Sequence, residues 1–346
     1  MAKIFRLFND KLYIFLKHYI RLVLGILITI LALYLGLRTT SIGEITAAFS
    51  NTNFVFVFLA LLSVAVNTLG KMIRWKILMS SRGRSISMGK ILASLLVGQM
   101  LNTLSFARIG DVSRIYIIGS MGIGKVFTLS TLLVEKLLDT LAYTFLFLVL
   151  LLLVRLPDWI TQSGYTFLII GCLLTIILLI AAFRAKWILT VIKALLLLFP
   201  EKFQLYFLPR VQTALEGLEL LKNIREIWLS SFWSAIIWSA AIITNHLALI
   251  AMDIYLPITA SIFLLLGLQA GISIPSTPGR IGVFQYICVL VLVFFGISQA
   301  NAFSYGILLH VLVLFPTTLS GLIIFWILGR SKFRGKPIIV SDHGIE

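Results

Sequence analysis

The chain has 346 residues, 60% of them hydrophobic and only 12% charged, with a mean hydropathy of +1.06. One soluble core cannot hide that much apolar surface, so the composition excludes a soluble enzyme and describes an integral membrane protein. The formal net charge is +16, but the lysines and arginines stand in blocks between apolar runs, as in loops that face anionic headgroups and unlike a nucleic-acid surface.

The first 21 residues space their apolar side chains at helical intervals among five Lys/Arg, which predicts an amphipathic helix on the cytoplasmic surface. The apolar run after it is long and has no small-residue cleavage site, so it reads as a retained first span and not a removed signal. Nine apolar runs follow in order, at 22–37, 53–69, 90–107, 127–154, 165–183, 228–252, 258–274, 281–296 and 302–328. Residues 1–21 should be cytoplasmic, and loop 38–52, with only Arg38, outside. Loop 71–90 holds six Lys/Arg, the connector 184–226 seven and the tail 330–346 four, all in keeping with the inside. The connector reads as amphipathic helices on the cytoplasmic face and is too short for a catalytic domain.

These sides conflict if run 90–107 crosses once, because the connector would then land outside. The conflict disappears if residues 90–123 enter the membrane, turn near Arg108–Asp111 and return. The returning arm of ~18 Å is shorter than a hydrocarbon core of ~30 Å, which predicts a re-entrant hairpin. A matching signature recurs at 258–297. Both copies run from an apolar stretch through a glutamine (Gln99, Gln269) to Arg-Ile-Gly, at Arg108–Gly110 and at Arg280–Gly282, 172 positions later. The second copy adds breakers at Pro275, Pro278 and Gly279, and by the side count it opens from the opposite face. The expected architecture is an all-α polytopic membrane protein. It has about six full spans and two re-entrant hairpins in an inverted pseudo-repeat, within one membrane domain at 22–329.

Charges at membrane depth need partners or a water-filled cavity, since each costs about 2.5–3.5 kcal/mol on insertion scales. Arg108, Arg114 and Arg280 can fork onto phosphate oxygens, or pair with structural carboxylates, or reach a headgroup. Gly110, Gly279 and Gly282 permit close backbone approach. Glu135 and Asp139 are four apart and share one face of the run 127–154, where they could hold arginines or serve a substrate. Asp111 could also hold Arg114, three residues on. Pro275 and Pro278 are expected as structural hinges. Arg74, Trp75 and Lys76 read as boundary residues, explained by an aromatic belt and the positive-inside bias. His246 and His310 stand without clustered ligands, and Cys172 and Cys288 each lie in an apolar run. Neither a metal nor a cofactor is expected, and the two cysteines say nothing about disulfides.

Four motifs then occur in order: Arg-Trp-Lys-Ile-Leu from Arg74, Arg-Ile-Gly-Asp-Val-Ser-Arg from Arg108, Glu-Lys-Leu-Leu-Asp from Glu135 and Pro-Ser-Thr-Pro-Gly-Arg-Ile-Gly-Val-Phe-Gln from Pro275. Together they resemble the lysylphosphatidylglycerol-synthase transmembrane-region family of flippase-like proteins over nearly the whole chain. The family pattern has proline where Ser105 stands, Glu at Asp111, Arg at Lys136, a second Gly at Arg280 and Glu at Gln285. A glutamine cannot titrate, so no proton-coupling role carries over to position 285, while the added Arg280 implies a more anionic cargo. The larger synthases of the family carry a cytoplasmic aminoacyl-transferase domain. With 18 residues after the last run, lipid aminoacylation is not expected of this chain.

The resemblance implies transport more than catalysis. An anionic phospholipid or lipid-linked precursor would cross the cell (inner) membrane, its headgroup in a polar cavity between the two hairpins and both termini cytoplasmic. Substrate contacts are expected at Arg108, Gly110, Asp111, Arg114, Glu135, Asp139, Gly279, Arg280, Gly282 and Gln285. Membrane lipids are the expected partners, with envelope-biosynthesis proteins possible and nucleic acid excluded. Two alternatives stay open: a membrane-embedded glycosyltransferase using a lipid-phosphate donor, for which loop 38–52 offers only Glu44, and a non-catalytic scaffold.

Overall fold

The computed structural model describes residues 24–38, 41–83, 85–105, 109–271 and 277–333. The expected surface helix at 1–21, the tail from 334 onward, Arg108 and Pro275 lie outside the described residues. The described residues are 87% helical, with no strand among them. The helices are α1 (Leu24–Leu37), α2 (Ile42–Ser50), α3 (Phe54–Leu78), α4 (Met88–Leu104), α5 (Ile109–Ile118), α6 (Lys125–Leu153) and α7 (Asp158–Phe183). After them come α8 (Ala185–Leu196), α9 (Glu201–Leu218), α10 (Ile224–Ala251), α11 (Ile258–Gly271), α12 (Val283–Phe294) and α13 (Gln299–Phe333).

Among the described residues five helices are long and apolar enough to cross a bilayer: Phe54–Leu78, Lys125–Leu153, Ile160–Phe183, Ile224–Ala251 and Gln299–Leu328. At most half of each apolar window is buried inside the protein. The rest presents Leu, Ile, Val and Phe outward, as lipid-facing helices must. The described part of the first expected span is the shorter helix α1.

The chain divides into two compact units. The first comprises residues 1–61, 102–108 and 242–316, and the second residues 62–101, 109–241 and 317–346.

In the second unit, α4 and α5 form a helical hairpin. A Cβ on Gly98 of α4 would lie 2.7 Å from Arg114 Cγ and 3.1 Å from the Gly110 carbonyl oxygen, so only glycine lets α5 come this close. The segment starts and finishes at one end of the unit, because Ile123 packs 3.3 Å from where a Cβ of Gly83 would stand. A π-helical turn at Gly119–Ile123 ends α5, and Gly122 (φ +89°) and Gly124 (φ +93°) reverse the chain into α6. Lys76 staples the loop before α4, its Nζ donating to the Gly83 and Ile86 carbonyls at 2.8 and 2.6 Å. The unit's core includes Trp75, Leu78, Met79, Ile91, Ile118, Ile123 and Phe127, all almost fully buried. Ser63 and Asn67 tie α3 to α10 through the Ala240 and Ile237 carbonyls, each at 2.7 Å.

In the first unit, α11 and α12 form a second hairpin. Gly267 and Gly271 of α11 lie against Ile287 of α12, and the two ends meet again where Phe263 touches Phe294 edge to face at 5.8 Å. Its arms of 14 and 12 residues are ~21 and ~18 Å long, and the second arm of the α4/α5 hairpin is shorter still. None of these three reaches the ~30 Å of a hydrocarbon core.

Candidate functional site

One face of α6 organises the second unit's charges. Thr131, Glu135 and Asp139 are spaced four apart, so all three point the same way. Each meets a polar or charged group of a neighbouring helix. Thr131 Oγ1 accepts from Trp75 Nε1 at 3.3 Å. Glu135 takes both terminal nitrogens of Arg114, at 3.1 Å from Nη1 and 2.7 Å from Nη2. Asp139 pairs with Arg74 at 2.8 Å, and the same Arg74 Nη1 donates to Ser234 Oγ on α10 at 3.0 Å.

These groups are deep in the fold. Arg74 is 1% exposed, Arg114 4% and Glu135 5%. Glu135 stands ten residues into α6, ~15 Å from its start along the axis, so the pair lies within the span and not at its edge. The Arg114 guanidinium also lies 4.0 Å over the Trp75 ring, a cation–π contact in a dry setting. A bidentate, charge-assisted pair supplies the geometry that a buried ion pair needs to offset its desolvation.

Asp111 sits in the first turn of α5, 3.9 Å from Arg114 Nη1 and 3.8 Å from Lys136 Nζ. Its expected bond to Arg114 is thus present but secondary to Glu135. Lys71, one turn before Arg74 on α3, is attracted by Asp139 and Glu135. The cluster therefore holds four cations (Lys71, Arg74, Arg114, Lys136) and three carboxylates (Asp111, Glu135, Asp139). The Nε atoms of Arg74 and Arg114 are buried and have no acceptor among the described residues.

Of the residues that sequence reasoning named as candidate contacts, the structure brings Arg114, Glu135, Asp139 and Asp111 into one charged cluster, and that reasoning did not foresee Arg74 and Trp75 joining it. It assigned those two to a boundary belt, yet both are buried, Trp75 completely. The available signal was spacing: Arg74 stands three residues after Lys71, and α6 offers two carboxylates, Glu135 and Asp139, to balance such charges inside a span.

The first unit holds the other predicted residues. Its hairpin tip is the short 3-10 turn Pro278–Arg280, with Gly279 at φ +76°, Arg280 at φ +57° and Gly282 at φ +84°. Pro278 opens this turn, where its missing N–H leaves no donor unpaired. A closed chain of hydrogen bonds fastens the tip. Gly282 N–H donates to Gln285 Oε1 (2.8 Å), Gln285 Nε2 to His310 Nδ1 (2.8 Å), and His310 Nε2 to the Gly279 carbonyl (2.8 Å). A carbonyl only accepts, so His310 carries its proton on Nε2. His310 is also stacked on Phe284 at 4.5 Å. It is a satisfied structural histidine, and Gln285 acts as a clamp. Thr277 adds a second fastening, to Thr29 of α1 at 2.9 Å.

Glu44, the acid that a glycosyltransferase reading would use, is engaged in a capping box. Its carboxylate accepts from Ser41 N–H at 2.8 Å while Ser41 Oγ accepts from Glu44 N–H at 3.2 Å. Among the described residues no group of three or more His, Cys, Asp or Glu could hold a metal ion.

No curated protein and no solved structure matches this chain at a significant level. A family model does: the lysylphosphatidylglycerol synthase transmembrane region, over residues 22–321. That match contains both hairpins, all five long apolar helices up to Gly321 and the whole ion-pair cluster. The chain belongs to the lysylphosphatidylglycerol synthase transmembrane-region family.

Proposed function

We propose that this protein translocates an anionic lipid, a phospholipid or a lipid-linked precursor, across the cell (inner) membrane, with the charged cluster on α3, α5 and α6 handling the headgroup. One observation carries the reading: two arginines buried within a membrane unit each keep an Nε–H without an acceptor among the described residues. A buried donor left unmade costs about 1–3 kcal/mol, and a phosphate oxygen satisfies it. Glu135 and Asp139 hold the two guanidiniums in place, and the cationic excess favours a negative headgroup. Gly98 provides the close helix approach beneath Arg114, against the Gly110 carbonyl, and Arg108, two residues before Gly110 in the sequence, brings a further positive charge.

In the first unit, the α11/α12 tip offers headgroup contacts of its own through Gly279, Arg280, Gly282 and Gln285. Arg280 occupies a left-handed conformation that costs a non-glycine residue about 1–2 kcal/mol. Retaining arginine there fits a requirement for charge at the tip. Both hairpins enter the membrane and return to the face they came from, with Pro275 and Pro278 as hinges and both termini cytoplasmic.

Two measurements test this. In proteoliposomes carrying a headgroup-labelled phosphatidylglycerol, the wild-type protein should accelerate exposure of the label to an external quencher. Arg74→Lys and Arg114→Lys keep the positive charge but remove Nε–H. Each should slow exchange about tenfold or more, the loss of one charge-assisted hydrogen bond of ~1.5–3 kcal/mol. Wild-type rates equal to empty vesicles for both anionic and zwitterionic probes would show that the protein does not translocate these lipids. For the topology, cysteines placed at Ser120 and Asn301, in a background lacking Cys172 and Cys288, should be labelled from opposite faces. Labelling from one face contradicts the hairpin arrangement.

A further inference from the structure

Away from the ion-pair cluster, the second unit carries a cavity of about 640 Å3 where α7 hands over to α8 and α9. Phe183, Arg184, Lys186, Trp187, Glu216 and Lys222 are among its lining residues. Phe183 is the last residue of the apolar span Ile160–Phe183, and α8 begins at Ala185. The cavity therefore starts where the hydrocarbon ends. Helix α8 has apolar residues along one side, and it leads into the outward-facing Leu195, Leu197, Leu198 and Phe199, the pattern of a helix lying in the bilayer surface. Trp187 is 62% exposed, placing an indole at headgroup depth, where this side chain is favoured.

The lining charges are unequal. Arg184 and Lys186 face one carboxylate, Glu216, and that carboxylate already accepts from Arg82. No side chain caps the N-terminus of α8, so its partial positive charge adds to the two cations. Phe183, Trp187 and Leu215 give the cavity an apolar wall beside the charged one. A cation-rich rim over an apolar wall at the end of a span matches the two halves of a phospholipid at the interface: phosphate and glycerol above, the first acyl carbons below.

We infer that this cavity is a binding site for the headgroup of an anionic phospholipid from the adjoining leaflet, distinct from the buried cluster. The lipid phosphate lies against Arg184, Lys186 and the α8 N-terminus, its glycerol against Trp187, and its chains continue along α7. The site is independent of translocation, because it requires only equilibrium binding from one leaflet.

The test uses the full chain in phosphatidylcholine nanodiscs containing a small fraction of lipid brominated near the glycerol. Subtracting the fluorescence of Trp187→Phe isolates the Trp187 signal. Brominated phosphatidylglycerol should quench Trp187 as though enriched about fivefold over brominated phosphatidylcholine, the gain expected from roughly one net cation at the surface. Arg184→Gln/Lys186→Gln should abolish that preference, and Arg184→Lys/Lys186→Arg should retain it. Equal quenching by both lipids overturns the site, as does a charge-conserving variant that loses the preference while the protein stays folded. Soluble glycerol 3-phosphate separates the two sources of the phosphate group. Failure to compete supports a membrane lipid, whereas full competition at low millimolar concentration assigns the cavity to a soluble phosphate ester and overturns the lipid site.

Discussion

Glu135→Leu should destabilise the protein by about 3–5 kcal/mol, because it leaves the Arg114 guanidinium buried without its counter-charge. Arg114 is 4% exposed, both its terminal nitrogens are committed to Glu135, and the nearby Asp111 reaches only one of them, at 3.9 Å. Arg114→Met alone should cost a similar amount by stranding the carboxylate. The double variant Arg114→Met/Glu135→Leu should recover most of the loss, since an apolar pair of like volume fits the packing against Trp75 and Gly98. Unfolding in mixed micelles with increasing denaturing detergent measures each corner of this cycle. Additive losses in the double variant would mean that the two residues do not act as a pair. The same double variant should lose lipid exchange while remaining folded, separating the pair's contribution to stability from its part in transport.

The second large effect is expected at the α11/α12 tip. Gly282→Ala places a Cβ 2.8 Å from the Thr29 carbonyl oxygen and 3.0 Å from Leu33 Cγ, at a residue with φ +84°. Backbone cannot yield as a flexible side chain does, and the left-handed conformation adds strain of about 1–3 kcal/mol. Relief requires α12 to move away from α1, which pulls on the Gly282–Gln285–His310 chain. The variant should melt several degrees lower, and the first amides of α12 should exchange faster with deuterium than in wild type. Gly89→Ala is the matched control. Its Cβ meets nothing within 4 Å, on α4 in ordinary helical conformation, so a small gain of about 0.4–1 kcal/mol is expected. Equal behaviour of the two variants would show that the tip is not held by close packing on α1.

The membrane class, the helical content and both chain reversals were legible from the amino acids. Apolar runs of a given length report what a bilayer accepts. Charge parity located a break near 108–111, and α4 ends at Leu104 with α5 starting at Ile109. Proline and glycine located the second break, between Gly271 and Val283. The order of the four motifs identified the family. These signals are local, or they are sums along the chain, so one dimension suffices to read them.

The partner choices depended on tertiary structure. Arg74 and Trp75 look like any basic-aromatic boundary pair, and only the packing of α3 on α6 turns them inward to Asp139 and Thr131. Arg114 has a carboxylate three residues away and takes one twenty-one residues away instead, because the α5–α6 turn brings both oxygens of Glu135 onto its fork. Gln285 reads as the loss of the family's acidic residue until His310 arrives from α13 and makes it a clamp. A sequence states which charges must find partners in a membrane. Which partner each one finds depends on helix faces meeting at hydrogen-bond distance, and the distance is set by the fold.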